Sequence, residues 1–257
     1  MKLLSVIVPA RNEEAAIAAT LDAILAAAAT MQGGPVASLA LGPSPIEVLV
    51  VDNASTDRTR DVVDGYAARH GVRLLACPRL KAPCARNFGT QHSTGRILCF
   101  VDADTWVPAN AFTRIRDLCE RDGFEAGIGG LAAQEPGLSA RLWWLFWNHV
   151  RRLPLGRAKA LPAFMFCTRD VFAELGPFDE RVVIGEEWPI LAGLYRARPR
   201  SFVYDRTLVA RTSNRRMELR RFGYLRTFSK YIWAILMPAG RRVYSDHVRH
   251  ALPPETP

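Results

Sequence analysis

Three short apolar runs, at 3–8, 46–51 and 97–101, each stop abruptly at a polar segment. The first ends in Pro9-Ala10-Arg11-Asn12-Glu13-Glu14, the second in Asp52-Asn53-Ala54-Ser55-Thr56-Asp57, and the third in Asp102-Ala103-Asp104. Near-continuous apolar runs of this length are the mark of strands covered on both faces. Between them lie stretches of helical character: 15–30, rich in the best helix former, then a segment reaching about Arg69, then 83–92. A further short strand is expected at 72–76. Strands that alternate with helices over 120 residues call for a parallel sheet with helices on both faces. Ligands of such sheets sit outside the carboxyl ends of the strands, so the three polar segments are expected to meet at one crevice.

The second half is less regular. Gly33, Gly34, Pro35, Gly42, Pro43 and Pro45 mark a loop over 31–45, before the second strand. Residues 138–152 carry Trp143, Trp144, Phe146 and Trp147. Strands are expected at 162–167 and 202–209, and short helices at 171–175 and from Gly185-Glu186-Glu187-Trp188 to about Arg196. From Met217 on, Phe222, Leu225, Phe228, Tyr231, Ile232 and Ile235 recur at helical spacing up to Pro238.

Composition narrows the class. At 257 residues with 49% hydrophobic and 23% charged side chains, the chain has room for one large α/β domain or two small ones. No run of about 18 uncharged apolar residues exists, which excludes a polytopic membrane protein. The opening apolar run is short and stops at Arg11, so it reads as a buried strand rather than a leader. Five cysteines, none spaced as CxxC, suggest neither a disulfide framework nor a zinc site, and a reducing cytoplasmic location. The net charge is +9, and all of it lies between Arg206 and Arg249, where 11 basic residues face 2 acidic ones. Such a block suggests an anionic partner: phosphate groups, a nucleic acid or an acidic membrane surface.

Asp102-Ala103-Asp104 after an apolar strand can hold a hard divalent cation through oxygen, with water and substrate phosphates completing the shell. A turn or helix cap would use the same residues. Two further polar strand ends nearby favour the metal.

Four segments together resemble the family-two glycosyltransferases: Ser5-Val6-Ile7-Val8-Pro9-Ala10-Arg11-Asn12-Glu13-Glu14, Val50-Val51-Asp52-Asn53-Ala54-Ser55-Thr56-Asp57, Ala85-Arg86-Asn87-Phe88-Gly89 and Phe100-Val101-Asp102-Ala103-Asp104. A weaker likeness continues through Phe178-Asp179-Glu180 and Gly185-Glu186-Glu187 to about residue 216. The resemblance implies a GT-A fold: a mainly parallel central sheet flanked by helices, with a smaller acceptor-binding half and here a C-terminal amphipathic helix. It divides the chain into a domain at 1–216, with a nucleotide-sugar half at 1–107 and an acceptor half at 108–216, and a basic extension at 217–257. It implies a nucleoside-diphosphate sugar as donor, held by Pro9, Ala10, Arg11, Glu13, Asp52, Arg86 and Asp102. Magnesium or manganese would be bound by Asp104 and Asp102. Asn53 stands where many relatives carry a second Asp, which leaves the base open among uracil, guanine and thymine.

By the same resemblance, Glu187 is the base that takes the acceptor hydroxyl proton in an inverting, single-addition transfer, with Glu186 as second choice. Glu replaces the commoner Asp, and Pro189 stands where relatives often have another acid. Arg215 and Arg216 are candidates to close over the diphosphate. A third metal ligand is open; His149, His247 and His250 are available by type.

Tryptophans beside Arg151, Arg152 and Arg157, and an apolar helix flanked by Arg220, Arg221, Lys230, Arg241 and Arg242, suit a membrane interface. A core seam or dimer contact would explain them too. The expectation is therefore a cytoplasmic enzyme, peripheral at the inner face of the cell membrane, acting on an acceptor alcohol that is lipid-linked. No nucleic acid is expected as partner. The rival readings are a sugar-nucleotide nucleotidyltransferase, which should carry a Gly-rich turn after the first strand, a basic nucleic-acid-binding protein, and an inactive transferase-like scaffold.

Overall fold

The computed structural model describes residues 2–33, 44–155, 163–182, 184–219 and 222–236. Its first half alternates as β1 (Leu4–Ala10), α1 (Ile17–Gln32), β2 (Ile46–Asp52), α2 (Thr59–His70), β3 (Arg73–Ala76), α3 (Ala82–Gln91) and β4 (Ile97–Val101). β5 (Thr105–Trp106), α4 (Ala111–Glu120), β6 (Ala126–Ala133), α5 (Leu138–Val150), β7 (Phe164–Thr168) and α6 (Arg169–Leu175) follow. The described chain continues with α7 (Trp188–Ala197), β8 (Phe202–Thr212), α8 (Arg215–Glu218) and α9 (Gly223–Leu236).

The strands form one sheet in the order β3-β2-β1-β4-β7-β6-β8-β5. β1 pairs in parallel with β2 on one side and β4 on the other, so the strand order reverses at β1. A reversal of this kind opens a crevice outside the carboxyl ends of the strands, because the connections from neighbouring strands diverge there to either side. The expected parallel sheet is correct for β1–β4. Beyond it the sheet is mixed: β7 runs antiparallel to both β4 and β6, while β6 and β8 are parallel. β6 gives little strand signal because Gly127, Gly129 and Gly130 interrupt it. A side chain at Gly127 would run into Val203 and Phe166, so close packing, not propensity, selects glycine there.

Side chains alternate across the sheet as strand geometry requires. Leu4, Val6 and Val8 pack with Ile17, Leu21 and Ile24 of α1 and with Phe112 of α4. Ile7, Val51, Leu98 and Phe100 face Ala85 of α3 and Leu191 of α7. α3 lies so close to the sheet that a Cβ at Gly89 would sit 2.6 Å from the Ile7 side chain. That approach brings Arg86, one turn earlier on the helix, down to the crevice floor.

α5 and α9 pack on each other through aromatic rings. Trp143 meets Tyr224 and Tyr231, Trp147 meets Phe228 and Tyr231, and Phe146 meets Phe228. Trp143 and Trp147 are thus buried in a helix seam. This corrects the interfacial reading of the tryptophan cluster itself: the outward apolar side chains are instead Leu138, Leu142, Leu145 and Phe146 on α5, and Phe222, Leu225, Trp233 and Leu236 at and along α9. No helix among the described residues is long and apolar enough to cross a membrane. Arg157, Arg220, Arg221, Arg241, Arg242, His247 and His250 lie outside the described residues.

Candidate active site

The loops after β1 and β2 are laced together. Asn12, at φ 54°, accepts from the Thr56 amide at 2.8 Å, and the Glu13 amide donates to Thr59 Oγ1 at 2.8 Å. Asn53 donates to the Arg79 carbonyl at 2.6 Å and accepts from the Lys81 amide at 2.7 Å, pinning the next loop beside them. These loops and the end of β4 open into a cavity of about 860 Å³, lined by Pro9, Ala10, Arg11, Glu13, Asn53, Lys81, Arg86, Asp102, Asp104, Glu186 and Glu187 among others. That volume suits a nucleotide-sized ligand with room beside it. Asp52 is placed differently: it is buried behind the lining, accepts from the Ser55 amide at 3.2 Å, and Asn53 takes the cavity position.

Arg86 ties the two sides of the cavity together. Its guanidinium donates to Asp102 Oδ1 at 2.8 Å and to Glu186 Oε1 at 2.9 Å, with the Phe178 ring 5.6 Å away. Burial disfavours the charge, but Asp102, Glu186 and Glu187 outweigh it and hold the guanidinium above its ordinary pKa. Glu187 is buried and precedes the first turn of α7, without a side-chain capping bond. Burial first, then the neighbouring Glu186, pushes its carboxyl well above the usual carboxylate range. Gly185, at φ 84°, makes the left-handed turn that leads into this acidic pair, a conformation that favours glycine. Pro189 falls in the first turn of α7, where its missing N–H costs nothing.

Residues 213–219 form a strap across the cavity mouth. The β5–β8 ladder pairs Thr105 with Thr212, so the strap starts directly beside Asp104, whose carbonyl accepts from the Ser213 amide at 3.2 Å. Glu135, absent from the sequence-based candidates, accepts from the Ser213 hydroxyl and from the Asn214 amide. Arg215 donates to Glu13 and ties the strap to the β1 loop. For Arg216 only the backbone is described. Asn214 is buried, accepts from Trp144 Nε1 at 3.0 Å and donates to the Tyr224 hydroxyl at 3.3 Å, which links the strap to both aromatic helices.

Asp102 and Asp104 present hard oxygen donors to the cavity, a set that fits magnesium or manganese when water and phosphate supply the remaining ligands. Among the described residues no cluster of three His, Cys, Asp or Glu is assembled for a metal. His149 is exposed on α5, bonded to the Leu145 carbonyl, and does not line the cavity. Lys81 and Tyr231 are among the cavity residues that escaped sequence reasoning. Lys81 had no motif around it, and Tyr231 reads by spacing as plain helix core.

Residues 5–172 match the profile of Glycosyl transferase family 2. The chain belongs to that family. Among curated relatives, Glycosyltransferase AglE of Haloferax volcanii is 27% identical over 190 residues, covering 72% of this chain and 59% of AglE. The Dolichyl-phosphate beta-glucosyltransferase of Drosophila melanogaster is 39% identical over 107 residues, covering 39% of this chain and 30% of that enzyme. The chain thus spans less than two thirds of either relative. Glucosyl-3-phosphoglycerate synthase from Mycobacterium tuberculosis, solved with Mn2+, uridine diphosphate and glucosyl-3-phosphoglycerate, superposes with a TM-score of 0.60 at 17% identity, over 93% of this chain and 82% of that one. The likeness establishes the GT-A fold for this family-2 chain.

Proposed function

We propose that this family-2 chain transfers a sugar from a nucleoside-diphosphate sugar to an acceptor hydroxyl with inversion, in single additions. One observation carries the reading: a single cavity sets Asp102 and Asp104, at the end of β4, against Glu187 at the start of α7. Asp102 and Asp104 would hold magnesium or manganese, which when bound offsets the charge of the leaving diphosphate. The synthase from Mycobacterium tuberculosis, solved with Mn2+ and uridine diphosphate, supports that choice.

Glu187 takes the acceptor proton on a carboxylate oxygen as the acceptor oxygen bonds to the anomeric carbon. The bond from that carbon to the diphosphate oxygen breaks, and its electron pair leaves with the diphosphate. Glu187 is preferred over Glu186 because Arg86 already holds Glu186 as its ion-pair partner. The buried, raised carboxyl of Glu187 is the better proton acceptor. Titration calorimetry with UDP-sugars and GDP-sugars, with and without Mn2+, tests donor and metal together. Binding that ignores Mn2+, or no binding of either donor, would count against the reading.

The strap is expected to order the donor. Glu135→Gln weakens its anchor at Ser213 and Asn214, and should raise KM for the donor several-fold while leaving kcat closer to wild type. An unchanged donor KM would remove the strap from donor binding.

The acceptor is proposed to be lipid-linked, at an anionic membrane surface. The outward leucines of α5 and α9 support this, as does the basic charge of the C-terminal block. Each well-placed cationic side chain contributes about 1 kcal/mol at such a surface. Co-sedimentation with phosphatidylglycerol vesicles at low salt should exceed that with phosphatidylcholine vesicles. Equal recovery from both would leave an enzyme with a small soluble acceptor.

A further inference from the structure

α9 shows two adjoining faces. Gly223, Arg226, Thr227, Lys230 and Tyr231 recur at i, i+3, i+4, i+7 and i+8, and all five line the cavity. Phe222, Leu225, Trp233 and Leu236 recur at i, i+3, i+11 and i+14 and are exposed. On a helix of 3.6 residues per turn, Arg226 and Lys230 fall at the border between these faces. They also differ from Arg86 and Arg215. Arg86 is committed to Asp102 and Glu186, and Arg215 at the mouth to Glu13. Among the described residues, Arg226 and Lys230 have no carboxylate partner.

The cavity face of α9 looks onto the acceptor side. Tyr231, the neighbour of Lys230 on this face, lines the same cavity as Glu186 and Glu187. Arg11 and Lys81 line the cavity from the loops after β1 and β3, where a nucleotide would lie. Two cations one helical turn apart can share the oxygens of one phosphate.

We propose that Arg226 and Lys230 form a subsite for a phosphate carried by the acceptor, and that the Phe222–Leu225–Trp233–Leu236 stripe takes the lipid chain attached to it. The phosphate is a handle, not the nucleophile: it holds the acceptor while a separate hydroxyl reaches Glu187. This deepens the lipid-linked reading and rests on it.

The test measures binding to the full chain saturated with UDP and Mn2+, so that probe phosphates cannot enter the donor end. The probes are farnesyl phosphate, farnesol and glycerol 3-phosphate, against wild type and the double variant Arg226→Gln/Lys230→Gln. Both positions are exposed, and thermal melts verify the fold. Farnesyl phosphate should bind wild type at least about tenfold tighter than farnesol, and the double variant should lose that advantage. UDP affinity should stay the same. Glycerol 3-phosphate binding as tightly as farnesyl phosphate would keep the phosphate subsite and overturn the lipid stripe. Equal binding of farnesol and farnesyl phosphate to wild type, or an unimpaired double variant, overturns the proposal. So does a double variant that loses UDP and keeps farnesyl phosphate. Failure of UDP to bind wild type would instead strike the donor reading; with the donor end then open, the farnesyl phosphate binding that the double variant loses would be the part that reports on α9.

Discussion

Asp104→Ala is expected to lower metal-dependent turnover by at least about 10²–10³-fold while the protein stays folded. The carboxylate faces the cavity beside Asp102, where only oxygen donors can hold a hard cation. The backbone carbonyl of residue 104 accepts from the Ser213 amide and from Gln134 Nε2 at 2.7 Å, and alanine keeps both bonds. Loss of activity should therefore come with an unchanged melting temperature and with loss of the Mn2+ enhancement of donor binding. Turnover at the wild-type rate, or a wild-type enzyme indifferent to chelator, would remove Asp104 from the metal site. An unfolded variant would show that residue 104 is structural.

Glu187→Gln is expected to lower turnover by roughly 10²–10⁴-fold with donor binding little changed. It should also make the protein more stable at neutral pH, because burial raises the Glu187 carboxyl above its unfolded value. Between those two values the unfolded chain is ionised while the folded one still holds its proton. Stability is thus lost as pH rises through that window, and above it the buried charge remains a cost. Glutamine has no charge to bury, so the gain in melting temperature should appear at pH 7 and vanish below the ordinary carboxylate range. Turnover of the wild type should fall as pH drops through the same raised value, since the base must be ionised to accept a proton. A fully active Glu187→Gln enzyme beside an inactive Glu186→Gln one would transfer the role to the neighbour. A variant that is inactive but not stabilised would separate the base from the buried charge.

The parallel half of the fold and the convergence of its three polar loops could be read from residue order alone. Buried strands announce themselves by near-continuous apolar runs at 3–8, 46–51 and 97–101, and connection rules leave few ways to assemble them. Asp102 and Asp104 were legible at the end of an apolar strand, and Glu186 and Glu187 through the likeness of Gly185-Glu186-Glu187 to the family-two pattern. What residue order could not disclose is which charges meet. Arg86 bridges residues 16 and 100 positions away, and Arg215 reaches back 202 positions to Glu13. β6 stayed hidden because Gly127 is chosen by the proximity of Val203 and Phe166 and Gly129 by that of the Leu208 carbonyl, which exists only after β8 and β7 have docked. The same reason separates Asp52 from Asn53. Both are polar and adjacent, but strand alternation and the Asn53 bonds to the 79–81 loop send one inward and the other to the cavity. Periodicity predicts a helix from Met217 up to Pro238, and the structure places α9 at Gly223–Leu236. Only its packing through Tyr231 on Trp143 and Trp147 decides that Arg226 and Lys230 line the cavity, since a helical repeat specifies relative faces and not what each face meets.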